Sequence, residues 1–204
     1  MKQVIVVDGV VGAGKTTLAT IIKEEFNLKL YEELSDNDTL VLLDKFYADQ
    51  NRWSFTLQVH FLNKRFAMIK EIHKKNGGLL DRSIFGDKIF AQMLNEDGKM
   101  CDEEYRTYST LLDNMLEHAQ NPTLLIYLKC SVNKAVERIN GRNRGIESTV
   151  PRRYWERLNE KYDKWYETYD YSPKIVIDVD EVDLFIPEDR EKVVNKIKEA
   201  MANL

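Results

Sequence analysis

Residues 9–16 read Gly9-Val-Val-Gly12-Ala13-Gly14-Lys15-Thr16, a G-x-x-x-x-G-K-[ST] pattern. It follows the β-branched run Val4 to Val7 directly and precedes the helical pattern Thr17 to Phe26. No other feature of the chain restricts its fold as much. A strand that turns through glycines into a helix aims successive backbone N–H groups at one point, in conformations a Cβ would obstruct, and the helix N-terminus adds partial positive charge there. Such a loop holds phosphate. Lys15 supplies a point charge to the β- and γ-phosphates of a nucleoside triphosphate and Thr16 offers its hydroxyl to Mg²⁺, while Gly9, Gly12, Ala13, Gly14 and Thr17 belong to the same cradle.

Further short apolar runs, Leu28 to Tyr31, Leu79 to Leu80, Leu124 to Leu128 and Ile175 to Ile177, are separated by segments with helical periodicity. That alternation predicts an α/β fold of the P-loop NTPase kind, a five-stranded parallel sheet flanked by helices. A chain of 204 residues that is 43% hydrophobic supports one substantial core, so residues 1–204 are expected to form a single domain with no internal repeat or linker. Acidic residues (34) outnumber Lys plus Arg (30) for a net charge of -4, which excludes a global positive field for nucleic acid or anionic membrane. Any anion must be held locally. Cys101 and Cys130 have neither disulfide-framework nor zinc-ligand spacing, the N-terminal apolar run breaks at Asp8-Gly9, and no stretch is long and apolar enough to span a membrane. A reducing, cytoplasmic setting fits.

Between Asn51 and Lys75 the residues Phe55, Val59, Leu62, Phe66 and Ile69 recur on one helical face, which predicts a core face. Gln58, Phe61 and Arg65 form a second stripe beside it, either a solvated boundary or the lining of a pocket. A last helix is expected from Pro187 to about Ala202, closing the sheet through Val193, Val194, Ile197 and Met201.

Three groups fall where open α/β sheets keep their ligands, at the carboxyl ends of strands. Glu32 and Glu33 end the second run, as a solvated strand end or as an acceptor for the proton of an alcohol. Asp81-Arg82-Ser83 ends the third: Asp81 can orient Mg²⁺, Arg82 can neutralise phosphoryl charge, and Ser83 reads as a helix N-cap; a bare Asp-Arg pair is otherwise a surface salt bridge. Beyond the fourth run stand Arg138, Arg142 and Arg144, with Gly141 and Gly145 between and beside them. This segment, about residues 138–150, reads as a lid closing arginines over a γ-phosphate, or as a solvated basic loop.

Taken together these residues resemble the deoxyribonucleoside kinase family over nearly the whole chain. The likeness rests on the phosphate loop, Glu32, the run Arg52-Trp53-Ser54-Phe55-Thr56-Leu57-Gln58, Asp81-Arg82-Ser83 and the lid ending in Val150-Pro151. It implies transfer of the ATP γ-phosphate, with Mg²⁺, to the 5′-hydroxyl of a deoxyribonucleoside in nucleotide salvage. Glu32 would be the general base, Arg82 would hold the same end of the sugar, and Lys15, Arg142 and Arg144 would stabilise the transferring phosphate, with Arg138 and Arg142 on the donor. Tyr47 and Glu147 would bind the 3′-hydroxyl, Gln58 the base edge, and Phe61 would narrow the base site. Arg65 and Asp87 match the positions that read deoxycytidine and purine deoxynucleosides, which argues for deoxyadenosine, deoxyguanosine or deoxycytidine and against thymidine. The family likeness also implies a homodimer through helices. Glu33 stands where the family often has proline, Asp81 replaces a more common glutamate, and Asp178 to Phe185 matches the loop that holds the donor adenine. Two rivals share the phosphate loop: a nucleoside monophosphate kinase of the thymidylate kinase type, and a non-catalytic nucleotide-binding module.

Overall fold

An uninterrupted run such as Val4 to Val7 suits a strand covered on both faces. The computed structural model of the chain, which describes residues 3–32, 36–75, 77–141 and 150–204, places it in the centre of a five-stranded sheet. The run lies in β1 (Gln3–Gly9). On one side β1 pairs with β3 (Gly77–Asp81), beyond which lies the short edge strand β2 (Leu30–Tyr31); on the other it pairs with β4 (Leu124–Lys129) and then β5 (Lys174–Asp178). Every pairing is parallel, so every crossover carries helix: α1 (Lys15–Phe26), α2 (Asn37–Ala48), α3 (Gln50–Lys74), α4 (Lys88–Glu96), α5 (Asp102–His118), α6 (Val132–Gly141) and α7 (Arg152–Thr168), with α8 (Pro187–Ala202) closing the chain. A 3-10 turn, Ile84–Gly86, joins β3 to α4. Among the described residues no helix is long and apolar enough to cross a membrane.

The two faces of the sheet follow from side-chain alternation. Ile5 and Val7 pack with Leu18, Ile22, Ile126 and Ile197 on one face, whereas Val4 and Val6 pack with Leu62, Ile69, Ile72 and Leu80 on the other. Each fully buried aliphatic side chain contributes about 1.5–3 kcal/mol. Asp8 continues the parity of Val4 and Val6, so the sequence period carries a carboxylate toward the α3 face at the very end of the strand. The crossover after β1 runs toward β2 and that after β3 runs toward β4, which opens a crevice between the carboxyl ends of β1 and β3.

Several expectations are corrected. The strand expected from Leu28 begins only at Leu30, because α1 ends in a left-handed Asn27 and the chain must turn before it can join the edge of the sheet. The α3 face assigned to the core does meet it, with its burial divided: Leu62 and Ile69 are buried and Phe55, Val59 and Phe66 pack half-buried against the same core, while Gln58, Phe61 and Arg65 of the second stripe are also buried. Length explains the division. At 25 residues α3 runs about 37 Å, whereas the five residues of β3 span about 17 Å, so much of the helix overhangs the sheet edge and has a cavity rather than strands beneath it. Ser83 occupies the cap position of the 3-10 turn but makes no capping bond; its buried Oγ has no hydrogen-bond partner among the described residues.

Gly12 shows a point at which the phosphate loop tolerates no side chain. Its φ is +85°, and a Cβ there would stand 2.5 Å from the Ala135 carbonyl oxygen of α6. Gly12→Ala should therefore cost at least about 1–3 kcal/mol from backbone strain alone, with a further penalty as α6 is pushed aside. A fall in Tm of about 5 °C or more in calorimetry is the expected result, since 1 kcal/mol moves a chain of this size by about 2–4 °C.

Candidate active site

The crevice opens into a cavity of about 690 Å³, a size suited to a small ligand. Its floor is the end of the sheet. Gly12, Gly14, Lys15 and Thr16 border it from the β1–α1 loop, Glu32 from the end of β2, and Asp81 and Arg82 from the end of β3. Gly9, Ala13 and Thr17 belong to the loop but lie off the cavity wall. Lys15 Nζ donates to the carbonyls of Gly9 (2.9 Å) and Val10 (2.7 Å), so its ammonium is bound within the curve of its own loop. The Thr16 hydroxyl donates to Asp81 Oδ2 at 3.1 Å, which brings together two hard oxygen ligands, one from the first turn of α1 and one from the end of β3.

Arg82 is set by strain as well as by contacts. Its φ of +68° is left-handed, unusual for a side chain of this size, and its N–H is held by the Val7 carbonyl at 3.0 Å. The guanidinium then donates to the Tyr162 hydroxyl at 3.2 Å and lies over the Phe90 ring, 4.9 Å from its centroid. The backbone turn thus directs a long cation back into the cavity.

The opposite wall is α3, with Gln58, Phe61 and Arg65 all on the lining, and α2 adds Leu43, Phe46 and Tyr47. Burial decides between the two readings of that stripe: it faces a pocket. Arg65 lies 5.2 Å from the Phe61 ring centroid and forms a buried ion pair with Asp87. Asp87 is not on the cavity wall. It sits behind Arg65, in a small space that also touches Asp8, Arg82, Ser83 and Tyr162, so any contact with a ligand base would be made through or beside Arg65.

Arg138 lies in α6 and braces the loop from outside the cavity, its Nη1 donating to the Ala13 carbonyl at 3.1 Å and the Gly12 carbonyl at 3.5 Å. Arg142, Arg144 and Glu147, expected on the lid, lie outside the described residues, as does Glu33.

Other residues at the site lie outside the motifs, Asp8 behind the wall and the rest on it. Asp8 is buried, accepts the Gly9 N–H at 2.8 Å, and has its carboxyl pushed up by burial against the opposing pull of Arg82, then Lys15. A charged residue at the end of an otherwise apolar run was its signal. Phe90 and Leu94 reach the cavity from α4, at helical spacing from Asp87. Arg153 and Arg157 line it from α7; Arg157 is paired with Glu96 and Asp97, and its four-residue offset from Arg153 repeats the offset between Arg138 and Arg142.

A family model described as deoxynucleoside kinase matches residues 5–202. The chain is similar to a deoxyguanosine kinase of Lactobacillus acidophilus, 41% identical over 96% of this chain and 91% of that protein. It is similar also to a deoxyadenosine/deoxycytidine kinase of Bacillus subtilis, 35% identical over 96% and 92%. Among solved structures it superimposes on a deoxyadenosine kinase from M. mycoides with bound dATP, with a TM-score of 0.83 and 28% identity over 95% of this chain and 98% of that one. With the family model matched over residues 5–202 and a relative 41% identical over 96% of this chain, the chain belongs to the deoxynucleoside kinase family.

Proposed function

We propose that this chain transfers the γ-phosphate of ATP to the 5′-hydroxyl of a deoxyribonucleoside, and that deoxyadenosine, deoxyguanosine or deoxycytidine is taken in preference to thymidine. One observation carries the reading: Glu32 and Arg82 share a cavity wall with Lys15, Thr16 and Asp81, so an alcohol, a triphosphate and a metal can meet in it. The relatives named above are kinases of purine deoxynucleosides or of deoxycytidine, which supports the same acceptor class.

In this reading the loop and Lys15 hold the donor phosphates, and Glu32 receives the hydroxyl in line with the γ-phosphorus. The pairing of Thr16 with Asp81 supports a Mg²⁺ site, since that ion takes one or two protein oxygens and completes its shell with water and phosphate. When bound, Mg²⁺ supplies charge neutralisation at the β- and γ-phosphates. Arg82 holds the 5′ end of the sugar and meets charge as it develops on the transferred group. Tyr47 is assigned to the 3′-hydroxyl, Gln58 to the base edge and Arg65, backed by Asp87, to base selection. Arg142 and Arg144 keep the lid role and Glu147 the sugar-binding role that the family likeness gives them. A cytoplasmic role in nucleotide salvage, as one domain and as a homodimer, completes the proposal; sedimentation checks the dimer.

The test is a coupled ADP-release assay with ATP and Mg²⁺ and a panel of four deoxynucleosides and their 5′-monophosphates. Turnover with nucleosides and not with monophosphates is expected. Preferential turnover of a monophosphate would transfer the chain to the monophosphate kinase reading, and ATP binding without any acceptor-dependent turnover would leave only a nucleotide-binding module.

A further inference from the structure

Helix α2 walls the acceptor side of the cavity, yet Thr39 is its only buried residue, and Leu40 and Val41 beside it are 46% and 44% exposed. Apolar contact fixes the helix only in part, through half-buried residues such as Phe46 that pack on the core. Its N-terminal turn is fixed by polar contacts. Asp36 caps α2 through the Thr39 N–H at 2.8 Å, and the Thr39 hydroxyl lies 3.0 Å from both Asp36 carboxylate oxygens, 2.9 Å from His60 Nε2 and 3.2 Å from Lys64 Nζ. Lys64 also forms an ion pair with Asp36.

A hydroxyl has one proton and two lone pairs. If Thr39 donates to Asp36, its lone pairs are left for Lys64 and for an Nε2–H of His60, and its capacity is used in full. His60 and Lys64 belong to α3, the helix that presents Gln58 and Arg65 to the cavity. The cluster thus ties the wall helix to the opposing helix at the level of the pocket.

We propose that Thr39 is a positioning residue for the acceptor site: its hydroxyl clamps α2 onto α3 and sets Phe46 and Tyr47 against Gln58 and Arg65. This rests on the kinase reading for the identity of the ligand, whereas the clamp itself rests on the hydrogen bonds. Loss of the hydroxyl frees α2 to tilt about its first turn, so the acceptor is held less well while the phosphate loop, which borders the cavity from the β1–α1 connection, is untouched.

The test compares Thr39→Val, nearly the same shape without the hydroxyl, with Thr39→Ser, which keeps it. For Thr39→Val the deoxynucleoside KM should rise about tenfold, the effect of one charge-assisted hydrogen bond. Turnover number and KM for ATP should stay within about twofold, and Thr39→Ser should return the acceptor KM close to that of the wild type. Because Trp155 lies on the cavity wall, its fluorescence gives an acceptor Kd that does not depend on turnover and should move in parallel. Lys64→Met, which removes one arm of the clamp, should show the same selective loss and serves if Thr39→Val does not fold. An unchanged acceptor KM and Kd, or equal losses for acceptor and ATP, or a serine variant that behaves like valine, would overturn the proposal. A wild type that binds a deoxynucleoside without phosphorylating it contradicts the kinase reading instead, and the Kd comparison still decides the clamp.

Discussion

Glu32→Gln is expected to lower kcat at least about a hundredfold, with acceptor KM changed by less than about threefold. A hundredfold loss corresponds to about 2.7 kcal/mol of transition-state stabilisation, more than a neutral hydrogen bond supplies and about what an aligned charged one does. The amide preserves size and can still bind a hydroxyl, so ground-state affinity should survive. What it cannot do is accept the proton as the hydroxyl oxygen bonds to phosphorus. Because phosphoryl transfer passes through a loose transition state, little nucleophilic push is needed, and most of the loss should come from misalignment and from the missing late proton acceptor. Single-turnover kinetics with ATP and Mg²⁺ would measure the chemical step directly. A wild-type rate in Glu32→Gln would move the role to Glu33 or end the proposed mechanism.

The parts of this site that could be read from residue order are those in which function and local backbone coincide. Gly9 to Thr16 announce a strand, a turn and a helix N-terminus at once, and Asp81-Arg82 end a strand run, so their convergence on one crevice follows from the parallel sheet order. Asp8 escaped because an acid at the end of a strand looks the same whether solvated or buried; only the packing of Arg82 and Arg65 against it distinguishes the two. The stripe Gln58, Phe61, Arg65 was ambiguous for a related reason. Helical periodicity reports which residues share a face, but whether that face meets strands, solvent or a cavity depends on how far α3 extends past the strands, a tertiary quantity absent from any window of sequence. Ser83 was misread because a short polar side chain before a helical pattern is a capping signal in most settings, and here a three-residue 3-10 turn replaces the first helical turn that the hydroxyl would have capped.

The Arg65–Asp87 pair should separate stability from specificity. Both side chains are buried, at 6% and 2% exposure, and Asp87 Oδ2 has no hydrogen bond among the described residues. Arg65→Met leaves that carboxylate buried with its ion-pair partner removed and should cost about 3–5 kcal/mol, a fall in Tm of about 10 °C. Asp87→Leu should cost less, because Arg65 lines the cavity and its guanidinium can turn toward solvent there. Replacing both removes the buried charges together and should recover most of the stability lost in Arg65→Met, since an apolar pair of similar volume is often no less stable than a buried ion pair. The double variant should also lose discrimination against thymidine, because the charged pair that the family likeness assigns to reading purines and cytosine has been exchanged for an apolar surface. Differential scanning calorimetry on the three variants tests the first claim, and competition among four deoxynucleosides at equal concentration tests the second. A double variant as unstable as Arg65→Met would mean that the pair does not act as a unit, and an unaltered product ratio would remove Arg65 and Asp87 from base selection while leaving the phosphoryl-transfer site as described.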